Sequence, residues 1–177
     1  AGGKFDDSAY ITSGGLHGVG ISVVNALSKI LNVKVYNNGK VYSQKYSKGK
    51  VASKISIYKC SKKLKGTEIS FIPDKDIFDN ISFNPKKLYQ FIKMKAVLVR
   101  ETSILFKVDK ELIKDSTPSK ELFYYKKGIE DFLKKYSNSK IKLFDKYFYI
   151  NSFLNENEKC EVIVSFIKNE KNMFKSY

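Results

Sequence analysis

Residues 13–20 read SGGLHGVG, four glycines in eight positions, and open directly onto the apolar run ISVVNALSKIL at 21–31. Glycines permit positive φ and let a ligand approach the main chain, at an entropic cost a fold seldom accepts without a reason. In the run that follows, Ile21, Val24, Leu27, Ile30 and Leu31 recur at three- and four-residue spacing, which predicts a helix over about 21–31. A glycine loop opening onto a helix N-terminus suits an anion, because the first turn's N–H groups lack helical partners and the helix dipole is positive there.

Two common phosphate loops are excluded by counting. A P-loop begun at Gly15 has Gly20 in place but Ile21 where a lysine is needed. A dinucleotide fingerprint begun at Gly18 and Gly20 puts Val23 at the third glycine, with no strand before it.

Working outward, residues 1–20 form a loop-like lead. NVKVYNNGKVYSQKYSKGKVASKISIYKC at 32–60 alternates apolar and polar residues around Asn38-Gly39, a hairpin signal. GTEISFIPD at 66–74 reads as a strand ending at Pro73. NPKKLYQFIKMKAVLV at 84–99 reads as a helix, with Pro85 suited to its first turn and Leu88, Phe91, Ile92, Lys95 and Val99 near helical spacing. TSILFKVD is a strand candidate, and KKGIEDFLKKYS a short helix with Ile129, Phe132 and Leu133 on one face. The polar SNSK at 137–140 marks a domain boundary. Val162, Val164 and Phe166 alternate as a strand, KNEKN turns, and MFKSY starts a partner strand that is cut; with no initiator Met, the expectation is a piece of a longer protein.

The chain has 177 residues, 42% of them apolar, enough for a real core. Its net charge of +15 invites a nucleic-acid reading, but only one of 33 basic residues, Arg100, is an arginine. Base reading favours arginine's bidentate fork, so the excess reads first as a solvated lysine surface and second as a non-enzymatic basic DNA-binding module. Cys60 and Cys160 have no metal-like spacing and read as reduced thiols. No apolar stretch approaches the roughly 20 residues that span a bilayer, and the first residues show no signal-peptide pattern, so the expectation is a cytoplasmic protein with no membrane contact.

The string AGGKFDDSAYITSGGLHGVGISVVNALS at 1–28 closely resembles the ATP-lid segment of the B subunits of type IIA topoisomerases, DNA gyrase or topoisomerase IV. A looser resemblance continues through KGTEISFIPD, KKGIEDFLKKY and CEVIVSF. It implies an α+β chain in two domains. Residues 1–137 would be the C-terminal part of a two-layer α/β sandwich of the ATPase type shared with Hsp90, histidine kinases and MutL, and 138–177 the beginning of a ribosomal-S5-like α/β transducer domain.

For the site, the resemblance implies that the main chain of Gly14, Gly15, Leu16, His17, Gly18, Val19 and Gly20 wraps the triphosphate of ATP. Lys4 would sit near the phosphates, Tyr10 would contact the adenosine, and Thr67 would line the adenine pocket. His17 is implied to act through its backbone N–H, although a histidine in a glycine loop by itself also suits a catalytic base. Ile11 stands where gyrase-type members often carry a lysine. The general-base Glu, the Mg²⁺-binding Asn and the Asp-x-Gly motif would lie upstream, so no catalytic or metal residue is expected in this chain and it should not hydrolyse ATP alone. The implied cofactors are ATP and Mg²⁺. The implied partners are double-stranded DNA, a topoisomerase A subunit in an A2B2 assembly, and a second copy joined through the ATPase domain. FIPDKDIF and IKMKAVLVRETSILFKVD lean towards the topoisomerase IV branch over the gyrase branch; a MutL- or Hsp90-like ATPase is the more distant alternative.

Overall fold

The computed structural model describes residues 18–138, 140–144, 146–153, 155 and 159–168. They fall in two compact units, divided between Ser82 and Phe83.

The first unit starts with helix α1 (Gly20–Ala26), followed by β1 (Ser28–Asn37), β2 (Lys40–Ser47), β3 (Lys50–Val51), β4 (Ser56–Lys59) and β5 (Gly66–Pro73). All five strands form one antiparallel sheet in which β1 lies between β2 and β5, and both β3 and β4 pair with β2. Asn38 and Gly39 both take positive φ, 49° and 75°, as a two-residue turn of the type suited to the twist of a hairpin requires. Lys48 and Gly49 repeat the device between β2 and β3, with φ of 50° and 81°.

The helix expected over 21–31 is corrected here: it stops at Ala26, and Ser28 already belongs to a ten-residue strand. The apolar residues 27–31 fit both periods. The strand prevails because β2 and β5 flank β1 and pair with its backbone groups, whereas a longer helix would leave both neighbours without a ladder. Leu31 is accordingly buried within the sheet.

The second unit contains α2 (Pro85–Leu98), β6 (Ile104–Lys107), a 3₁₀ turn (Lys110–Leu112), β7 (Lys120–Phe123), α3 (Ile129–Ser137), β8 (Phe148–Phe153) and β9 (Lys159–Val164). Strands β6 and β7 form one antiparallel hairpin, β8 and β9 another. Helix α2 has the expected start: Asn84 Oδ1 accepts from Lys87 N at 3.0 Å, with Pro85 next in the first turn.

Its buried face differs from the expected stripe. Ala96 and Val97 are buried and Tyr89 and Ile92 pack against the core, while Phe91 and Val99 are exposed. Apolar residues surround α2 on most sides, so spacing alone does not select a face. The β6–β7 hairpin does: Tyr89 sets its ring 5.5 Å from those of Phe106 and Phe123, and its hydroxyl donates to Glu121 at 2.6 Å. From α3, Ile129 and Phe132 join this core, as their spacing predicts. Strands β7 and β8 were not legible in the sequence, and β8 is the partner that β9 takes. MFKSY lies outside the described residues.

Candidate functional site

Of the ten candidate site residues, Gly18, Val19, Gly20 and Thr67 fall within the described structure; Lys4, Tyr10, Gly14, Gly15, Leu16 and His17 lie outside it. Gly18 and Gly20 differ in what they supply. Gly18 takes φ of 63°, a left-handed conformation that makes glycine the undemanding choice. Gly20 is helical and needs no such freedom; among the described residues nothing stands within 4 Å of the place of its Cβ. One glycine bends the chain and the other keeps the helix start bare.

Val19 stands at the N-cap position of α1, and its carbonyl accepts the first helical bonds, from Ser22 N and Val23 N at 3.0 Å each. Among the described residues no side chain caps the first turn, and no acidic residue stands in it. Its leading N–H groups therefore face an approach with no carboxylate of the helix to compete, which favours an anion.

The other end of α1 is fastened. Asn25 O accepts from Gly49 N at 3.0 Å, and a Cβ on Gly49 would stand only 3.3 Å from Ala26 Cα, so the Lys48–Gly49 turn fits the helix as glycine alone. Ser28 O accepts from Lys48 N at 2.9 Å, and Leu27 O accepts from Asp74 N at 3.0 Å. Asp74 is 3% exposed and pairs with Lys48 at 3.0 Å, while Lys48 also meets Asp76 at 2.6 Å. The hydrogen bond from Lys48 holds the Asp74 carboxyl below the usual carboxylate range, and the two carboxylates raise the Lys48 ammonium. Sequence reasoning missed Asp74, Lys48 and Gly49. The available signal was a second residue-glycine turn, Lys48-Gly49, echoing Asn38-Gly39.

Thr67 lies in β5 opposite Val35. Residues opposite one another in an antiparallel pair share a face, and the face alternates along each strand. Thr67 thus shares a face with Val33, Val35, Ile69 and Phe71, and Ile69 and Phe71 are 45% and 43% exposed. On the opposite face Lys34 Nζ and Tyr36 Oη both donate to Glu68, at 2.8 and 2.9 Å. Along β1 and β5 the face bearing Thr67 is therefore mostly apolar, while the opposite face carries the Lys34–Tyr36–Glu68 cluster. Val35 is seven residues beyond Ser28 in β1, about 23 Å at ordinary strand rise, so Thr67 is set well away from the fastened end of α1.

No protein-family model matches the chain. Among curated proteins it is 48% identical to the B subunit of DNA topoisomerase 4 from Rickettsia felis over 134 residues, 75% of this chain and 20% of that protein. The chain belongs with the type IIA topoisomerase B subunits. Against the DNA gyrase B subunit of Caulobacter vibrioides it is 37% identical over 153 residues, 81% of this chain and 18% of that protein. The fold agrees: 85% of the chain and 39% of the 43K ATPase domain of Thermus thermophilus gyrase B, solved with an aminocoumarin, superpose at a TM-score of 0.66 and 32% identity. The two-layer α/β class expected from the resemblance is thus the fold of these ATPase domains. The chain spans about a fifth of the length of the curated relatives it matches.

Proposed function

We propose that this chain is the ATP-lid and adjoining sheet region of a type IIA topoisomerase B subunit, which couples ATP binding and hydrolysis to passing one DNA duplex through a double-strand break in another. The observation that carries this reading is the bent entry to α1: Gly18 at positive φ, nothing among the described residues within 4 Å of a Cβ on Gly20, and a first turn with no acid. Those features fit a polyphosphate. The backbone from Gly14 to Gly20 would hold the phosphates, Lys4 would add charge, and Tyr10 and Thr67 would bracket the adenosine. Bound ATP supplies the phosphoanhydride whose cleavage drives the cycle, and these residues bind and orient it. Mg²⁺ would be held by the triphosphate and by residues outside those described.

The hydrolytic base would stand outside this chain, so residues 1–177 alone would bind nucleotide without turning it over. The division at 138, with the β8–β9 hairpin opening a transducer domain, belongs to the same proposal. So do the partners: duplex DNA, an A subunit in an A2B2 assembly, and a second copy of this protein joined on ATP binding. Among the described residues no helix is long and apolar enough to cross a membrane, and we place the protein in the cytoplasm.

The higher identity to topoisomerase 4 than to gyrase favours the topoisomerase IV branch. Relaxation and decatenation without negative supercoiling, by the reconstituted enzyme, is the outcome expected; ATP-dependent negative supercoiling would place it in the gyrase branch. In the intact protein, Gly20→Leu should abolish DNA-stimulated ATP hydrolysis by filling the space the phosphates need. Unchanged hydrolysis in that variant would remove the phosphate-loop assignment.

A further inference from the structure

From Ser8 to Thr67 the chain carries eleven lysines and not one Asp or Glu; the acids stand at 6–7 and from Glu68 onward. A general lysine bias does not segregate acids in this way. The sheet then gathers five of these lysines at one end. Lys40 opens β2 and Lys59 closes β4, and the two are directly opposite in the ladder. The loop from β4 to β5 passes the Asn38–Gly39 tip, where Cys60 N donates to Gly39 O at 2.9 Å and Lys62 Cγ lies 3.1 Å from the place of a Gly39 Cβ. That crossing brings Lys62, Lys63 and Lys65 to the same end.

All five side chains are exposed, and none forms an ion pair among the described residues. Lys34 and Lys48, farther along the same sheet, are instead paired with Glu68 and with Asp74 and Asp76. Like charges directly opposite in a ladder repel, so the fold gives no reason of its own for Lys40 facing Lys59.

We infer that this lysine-rich end of the first sheet is a docking surface for the phosphate backbone of double-stranded DNA. Lysine is a point charge suited to phosphates and, unlike arginine, lacks the fork that reads base edges, so the contact is independent of sequence. From β4 across β2 and β1 to β5 the surface spans three strand spacings, about 14 Å, enough to meet phosphates on both sides of a groove. The choice of DNA over other polyanions rests on the topoisomerase reading.

The test is anisotropy of a short labelled duplex on the full-length protein across a salt series. Lys62→Gln/Lys63→Gln/Lys65→Gln alters only an exposed loop. It should weaken binding at low salt by about tenfold or more and flatten the salt slope by about 2–3, while the matching Lys→Arg triple keeps both. A control of equal charge change, Lys107→Gln/Lys110→Gln/Lys114→Gln, should leave both near the unsubstituted values. An unchanged slope in the patch variant, or an equal loss in the control, overturns the proposal. So does weakened binding of polyglutamate with duplex binding intact, which would mark an acidic protein as the occupant. ATP affinity of the unsubstituted protein tests the topoisomerase reading separately from the DNA slope.

Discussion

Lys48 and Asp74, 26 positions apart in sequence, meet at 3.0 Å across the end of helix α1, the ammonium half exposed and the carboxylate almost wholly covered. The same Asp74 holds the Leu27 carbonyl through its N–H, and Lys48 the Ser28 carbonyl through its own. Two turns from different parts of the sheet thus fix where the helix stops. Removing the carboxylate by Asp74→Ala leaves the ammonium with Asp76 alone and frees that end. The first unit should melt at lower temperature, as read by circular dichroism. Because the folded Asp74 pKa is depressed, its contribution is present above the unfolded carboxylate value and is lost as pH falls through the lower folded value. The variant and the parent should therefore converge in stability below about pH 4.

The two glycines at the head of α1 should separate stability from ligand affinity. Gly18→Ala places a Cβ on a left-handed residue and should destabilise by about 1 kcal/mol or more. Gly20→Ala meets no neighbour among the described residues and removes a helix-weakening residue, for a gain of up to about 1 kcal/mol. Both should bind nucleotide less well. A Gly20→Ala protein that melts higher yet binds ATP unchanged, by isothermal titration, would show that the open space is not the phosphate's.

In the second unit Phe123 is 1% exposed and Tyr89 leans on it. Phe123→Ala should cost about 3–5 kcal/mol in chemical denaturation. Burial, with the Glu121 hydrogen bond, pushes the Tyr89 hydroxyl up to about 12. A raised folded pKa leaves its contribution intact below about pH 10 and removes it as pH rises towards 12. Tyr89→Phe should flatten that alkaline loss of stability.

The cap of α2 offers a cleaner small perturbation. Asn84→Ala removes the acceptor for Lys87 N and should cost about 1 kcal/mol, whereas Asn84→Asp should retain most of it. Equal loss in both, measured by urea denaturation, would mean the cap contributes through something other than that oxygen.

Glu130 ties α3 to the segment ahead of β8. Hydrogen bonds from Lys134 and Tyr147, at 2.6 Å each, hold its carboxyl down to about 2. On the other side, Arg100 and Tyr149 both donate to Glu161 of β9. Glu130→Gln with Tyr147→Phe should speed hydrogen exchange in β8 and β9 while the Val97–Phe123 core keeps its protection. Acidification through the range from about 4.5 to 2 should do the same in the parent protein.

Gly18 and Asn38-Gly39 were legible because each requires backbone that other residues resist, and the sheet and α2 follow from period and caps. The stop of α1 was not legible. Ile30 and Leu31 fit helix and strand alike, and the decision lies with Thr67–Pro73, forty residues away. Nor was the buried face of α2, since Leu88 and Phe91 are as apolar as Tyr89 and Ile92; only the hairpin bearing Phe106 and Phe123 distinguishes them. For the site, the phosphate loop and the role of Thr67 are expectations drawn from the resemblance. The sequence was silent on Asp74 and Lys48, whose meeting depends on how a turn and a strand end are brought together.

Seven residues are too few for a helix to hold in water by itself. The order of α1 is therefore borrowed from Gly49 and Asp74 at its rear, and a change at either turn would be felt first as lost helix and only later as lost sheet.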